Sequence, residues 1–75
     1  MSKQEKLLLK MHNNPNGWRI EDLQVLAKKY GIEWRQNGTS HVCFKFPSGV
    51  FPIPAKRPIK GFYIIEFLKR IEEEI

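Results

Sequence analysis

The string Asn37-Gly38-Thr39-Ser40-His41 sets an imidazole directly after two hydroxyls and a glycine. An imidazole ordinarily titrates near pH ~6.5, so it can give or accept a proton close to neutrality. Gly38 lets backbone approach a ligand closely, and Thr39, Ser40 and the local amides can hydrogen-bond a phosphate. On RNA such a group has a direct use. Histidine can take the proton from a ribose 2′-OH, and the resulting oxygen attacks the adjacent phosphorus and breaks the chain. Nearby cations would stabilise charge developing on the phosphoryl oxygens. The competing reading of His41 is a strand-end histidine hydrogen-bonded locally, since one histidine is a signal of low specificity.

The cations are distributed in a way that bears on this. Thirteen Lys and Arg against eight Asp and Glu give a net charge of +5. No Asp or Glu occurs between Trp34 and Ile65, a stretch that carries Arg35, Lys45, Lys56, Arg57 and Lys60. A segregated positive surface attracts phosphate and makes binding salt-dependent; the alternative is a solvated face that favours solubility. Lys45 is the candidate for a second proton donor, to the leaving 5′ oxygen. His12 and His41 have no carboxylate or thiolate cluster at ligand spacing, so no metal and no cofactor is expected. His12, beside a chain breaker, reads as incidental, and Cys43 as a small strand residue. Trp18 and Trp34 could stack bases, but packing in the core or between helix and sheet is the favoured role for both. The aromatics of the last helix are also assigned to the core.

The elements that must hold these residues follow from periodicity. Residues 2–12 read as a short helix, ended by the breaker Asn13-Asn14-Pro15-Asn16-Gly17. Residues 20–30 read as a second helix, with Leu23, Leu26, Ala27 and Tyr30 on one face and Gly31 placed to end it. The period then changes to two. Residues 32–36 read as a strand, and Asn37-Gly38 as the centre of a type I′ hairpin turn. Residues 41–46 form the next strand, with Val42, Phe44 and Phe46 on one side and His41, Cys43 and Lys45 on the other. Residues 50–53 form a third strand, which Pro52 and Pro54 confine to a sheet edge. Residues 61–74 form a last helix, its C-terminal Glu run opposing the helix dipole.

The expected fold class is α+β: a three-stranded antiparallel meander with helices on one face and the face carrying His41 left open. With 75 residues, the chain is expected to be a single domain, 1–17 forming an N-terminal helical extension and 18–75 the core. A composition 41% hydrophobic and 28% charged argues against disorder. The apolar runs are too short for a membrane span, no secretory signal is evident, and a single cysteine excludes an internal disulfide. A cytoplasmic location is expected, with no membrane partner.

Three stretches carry a family resemblance. They are Trp18-Arg19-Ile20-Glu21-Asp22-Leu23 through Tyr30-Gly31-Ile32, then Gly38-Thr39-Ser40-His41-Val42-Cys43-Phe44, then Ile59-Lys60-Gly61-Phe62-Tyr63-Ile64 with Phe67-Leu68. Together they resemble the HicA toxin family over about residues 18–73. The resemblance implies a double-stranded-RNA-binding-domain-like α-β-β-β-α fold, here with an extra N-terminal helix. It also implies an endoribonuclease (mRNA interferase) activity and neutralisation by a HicB-like antitoxin. The family's catalytic histidine falls on His41, its motif glycine on Gly38, and Ser40 stands where the family has a serine before that histidine. Where many members have a second histidine, this chain has Val42, and its third strand is less polar than is usual in the family. The expected function is therefore metal-independent mRNA cleavage by a toxin of a toxin-antitoxin pair, with His41 in proton transfer. Gly38, Thr39, Ser40, Arg35, Lys45, Lys56, Arg57 and Lys60 would bind the substrate. The alternatives are a non-catalytic RNA-binding module of the same fold type and a basic protein-interaction domain.

Overall fold

A computed structural model describes residues 3–36, 38, 40–56 and 58–75. The expectations placed on Asn37, Thr39 and Arg57 lie outside the described residues. The element order is α1 (Lys3–Asn13), α2 (Ile20–Lys29), β1 (Trp34–Arg35), β2 (His41–Phe46), β3 (Gly49–Pro54) and α3 (Gly61–Glu74). The strands form one antiparallel sheet in the order β1-β2-β3. The α+β class and the three-stranded meander are therefore as the sequence pattern requires.

Local chemistry fixes the ends of α2. At its start the Asp22 carboxylate accepts the Arg19 backbone N–H at 3.0 Å. At its end Gly31 adopts φ 70, a left-handed conformation that costs other residues more. The Ile32 N–H then reaches back to the Ala27 carbonyl at 2.8 Å and the Gly31 N–H to that of Lys28 at 3.4 Å. This paired closure turns the chain from helix into strand.

Alternation along β2 divides the sheet. Val42 and Phe44 are fully buried and Phe46 nearly so, whereas His41 and Lys45 are exposed and Cys43 is intermediate. The buried side meets α3, where Phe67 packs edge-on against Phe44 at 4.9 Å and against Phe46 at 5.6 Å between ring centroids. Leu23, Leu26 and Ala27 of α2 and Ile64, Leu68 and Ile71 of α3 complete the core with Ile53 of β3. Helix α1 belongs to this core as well. Met11 is fully buried, and His12 pairs with Glu72 of α3 at 2.6 Å. The Ile59 N–H donates to the Trp18 carbonyl at 3.0 Å, joining the segment after α1 to the approach to α3. His12 is thus a tether between two helices.

Two sequence expectations are corrected by the register. Trp34 faces Phe44 and Arg35 faces Cys43, which leaves residues 36–40 between the strands. A two-residue type I′ turn centred on Asn37-Gly38 would have set Trp34 opposite His41 instead. Gly38 does adopt a positive φ of 63, a conformation that favours glycine, but in a longer connection. Regular pairing in β1 is also shorter than the alternation of 32–36 suggests. Ile32 is drawn into the core beneath the end of α2, at 4% exposure, and regular pairing begins only at Trp34.

The prolines of β3 have a geometric explanation. The Ala55 N–H donates to the Ser40 carbonyl at 2.7 Å, which makes the next pair, His41 with Pro54, a non-hydrogen-bonded one. Alternation gives the same status to Cys43 with Pro52. At both positions the missing proline N–H faces away from β2, so no ladder bond is lost.

Candidate nucleic-acid interface

The open face of the sheet is built from alternate residues of its strands. Partners in register share a face, so Arg35 of β1 lies beside Cys43, Pro52 beside Cys43 on the other side, and Pro54 beside His41. His41 therefore sits at one end of the central strand with a proline on one flank and Arg35 as its diagonal neighbour on the other. Diagonal neighbours in an antiparallel pair stand about 7–8 Å apart, within reach of a long side chain. The His41 ring is exposed. Non-hydrogen-bonded pairs bring side chains closest, so Pro54 forms a rigid wall against the imidazole.

Ser40 touches the ring directly, its Oγ lying 3.4 Å from His41 Nδ1. A contact of that length orients the ring more than it binds it. The Ser40 carbonyl is held by Ala55, so the residue preceding His41 is anchored to the strand extension after Pro54. Imidazole, hydroxyl and Gly38 all belong to the start of β2 and its approach.

The cations are arranged unequally. Lys45 shares the open face, but four residues along an extended strand set it about 13 Å from His41. Its Nζ is 3.8 Å from Oε2 of Glu33, the residue before β1. That position suits a distant phosphate and not the leaving oxygen of a reaction at His41, so the candidate second proton donor is not brought to the imidazole. Arg35 is the nearer cation on the sheet, and Lys56 follows Pro54 by two residues. Lys28, at the end of α2, joins Arg35 and Lys45 around a shallow groove that also holds Trp34. Sequence reading did not single out Lys28, because only the packing of α2 beside β1 brings it there.

Trp34 departs from its expected packing role. It contacts Phe44 at 6.3 Å between centroids but remains 37% exposed, because β1 is an outer strand with no neighbour beyond it. Trp18 is half-buried against the core, and its indole N–H donates to the Asn14 carbonyl at 2.6 Å.

On the other flank of His41, beyond Pro54, lies a groove of about 310 Å³ lined by Pro54, Lys56, Pro58, Ile59, Lys60 and Tyr63. Phe62 and Tyr63 were both assigned to the core from sequence; Phe62 is instead exposed, whereas Tyr63 packs against the core and also lines this groove. Nothing in the sequence signals this, since the groove exists only where the end of β3 meets the start of α3.

Among the described residues no cluster of His, Cys, Asp and Glu could hold a metal ion. No helix among them is long and apolar enough to cross a membrane. Compared with known proteins, the chain matches no family model, no curated protein and no solved structure.

Proposed function

We propose that this chain is an endoribonuclease toxin of the HicA type that cleaves RNA, mRNA in particular, at the open sheet face, and that a HicB-like antitoxin neutralises it by covering that face. The observation that carries the reading is the exposed His41 ring, flanked by Arg35 on the neighbouring strand and by Pro54, with Lys56 two residues further on.

In the proposed step His41 acts through Nε2, with Nδ1 turned toward the Ser40 hydroxyl at 3.4 Å. Nε2 takes the proton of a ribose 2′-OH. The 2′ oxygen forms a bond to phosphorus as the bond from phosphorus to the 5′ oxygen breaks. The departing 5′ oxygen takes a proton from water, the hydroxide so formed recovers the proton held on Nε2, and the products end in a 2′,3′-cyclic phosphate and a 5′-OH. Arg35 neutralises charge on the non-bridging oxygens, and Lys56 and Lys60 attract the phosphates on the Pro54 side. The step as written consumes no metal or cofactor.

The test is to incubate the chain with a long RNA in excess chelator, then repeat with His41→Ala. Loss of a general base typically lowers the rate about 100- to 10,000-fold. Equal cleavage by a folded His41→Ala protein removes the assigned role. A gel shift without cleavage by the wild type favours the non-catalytic RNA-binding module, and affinity for protein but not RNA favours the interaction domain.

A further inference from the structure

The groove beyond Pro54 differs chemically from the rest of the open face. A site for phosphate alone would be polar throughout. Here Pro54, Pro58 and Ile59 give apolar walls, Tyr63 gives an aromatic ring, and among the described residues Lys56 and Lys60 carry the charge. Tyr63 is half-buried and packed against the core, with Phe51 at 6.4 Å and an interplanar angle of 39°, and the exposed Phe62 ring at 4.2 Å and 34°. A ring held in this way presents a surface whose position is already set. Flat apolar walls with an aromatic platform and flanking cations suit a nucleobase, whose faces stack and whose attached phosphates are anionic. The cavity volume comfortably exceeds that of one base.

We propose that this groove is a nucleobase subsite, receiving one of the two bases that flank the phosphate presented to His41 and setting it against Tyr63. The inference rests on the reading of the open face as an RNA site and names the part of the substrate that fixes its register. Pro54 is shared, being both the cross-strand partner of His41 and a wall of the groove. A base seated there therefore carries its own phosphate toward the imidazole. Tyr63 is in this view a binding residue; it takes no part in proton transfer.

The experiment uses the full chain and a short RNA with one mapped cleavage site. In one arm the base on either side of that site is removed in turn, leaving an abasic sugar. Loss of a stacked base is expected to lower kcat/KM about 5- to 150-fold at one of the two positions. Tyr63→Leu should lower cleavage of the intact RNA similarly and have little further effect on the abasic one. Tyr63→Phe should retain wild-type cleavage, and circular dichroism checks that both variants fold. In a second arm 2-aminopurine replaces the same base in an uncleavable 2′-O-methyl RNA, and its fluorescence should be quenched by the wild type but much less by Tyr63→Leu. Cleavage that is indifferent to both abasic positions overturns the subsite and leaves the nuclease reading intact. Tyr63-dependent quenching without any cleavage of the natural RNA retains the subsite and overturns the nuclease. Neither cleavage nor quenching overturns both.

Discussion

The two faces of the sheet are made by the same three strands and obey different constraints. On the helix side Val42, Phe44, Phe46 and Ile53 meet Phe67, Leu68 and Ile64 with almost no accessible surface. On the other side His41, Cys43 and Lys45 alternate with them in sequence, the first and last exposed and Cys43 intermediate. A side chain on the first face is specified by volume, and one on the second by what it can offer to a visitor. Stability and the proposed activity should therefore separate cleanly by face, and substitutions one residue apart in β2 should behave as though made in different proteins.

The largest effect expected from that contrast is at Phe44. Phe44→Ala removes the ring that Phe67 packs against and should cost about 3–5 kcal/mol, measured by urea denaturation. That is a large share of the ~5–15 kcal/mol available to a small domain, so RNA cleavage should fall with the folded fraction. His41→Ala, three residues away, should lose two to four orders of magnitude in cleavage while its unfolding free energy stays within about 0.5 kcal/mol of wild type. A destabilisation at His41 comparable to that at Phe44 would erase the distinction between the faces.

Arg35→Ala sharpens the comparison within the open face. A charge-assisted contact to phosphate is worth about 1.5–3 kcal/mol, so RNA affinity should drop by about one to two orders of magnitude. The salt dependence of binding should also shallow by about one unit of slope. Ser40→Ala, which removes the hydroxyl 3.4 Å from Nδ1, should cost cleavage only about 2- to 10-fold. Its signature should be a fall in kcat with little change in KM.

The smallest effect lies at the far end of the molecule and concerns pH. Glu74 accepts the Ser48 N–H and the Ser48 hydroxyl, each at 2.8 Å. The backbone donation, then the hydroxyl, then the nearby Arg70 guanidinium hold its carboxyl below the ordinary value. A carboxyl lowered on folding contributes stability above its unfolded pKa, and that contribution is lost as pH falls through its folded pKa. Glu74→Gln should be slightly less stable than wild type at neutral pH, and the gap should close on acidification. A gap that widens toward low pH would contradict the assignment.

Sequence periodicity delimits β2 and α3 to the residue, because each has one strongly buried face and a turn residue at its boundary. It also places Gly31 correctly, because the end of a helix is a local problem. The register of β1 against β2 was not legible. Asn37-Gly38 is a strong hairpin signal, but pairing is decided by which residues of β1 reach the core. Ile32 goes under α2 while Trp34 stays at the sheet margin, and this sets the longer connection. For the candidate site, the face carrying His41 and Lys45 was legible from alternation, but the place of Arg35 on it was not, because the two-residue turn would have put Trp34 there. The separation of Lys45 from His41 follows from strand rise along β2 alone. The groove at Tyr63 was invisible because its walls come from the end of β3, the segment after it and α3, brought together only by folding.

The two prolines of β3 have a consequence for how copies of this chain meet one another. An outermost strand usually offers a row of unpaired amide hydrogens that another chain can adopt as a template, the first step toward fibrils. Along β3 the outward amides belong to positions 50, 52 and 54, and two of these positions are proline. Only Val50 keeps a hydrogen to donate. The margin beside His41 is therefore a poor template for the growth of a larger sheet, and a protein that docks by lending a strand meets fewer obstacles on the opposite border, at Trp34.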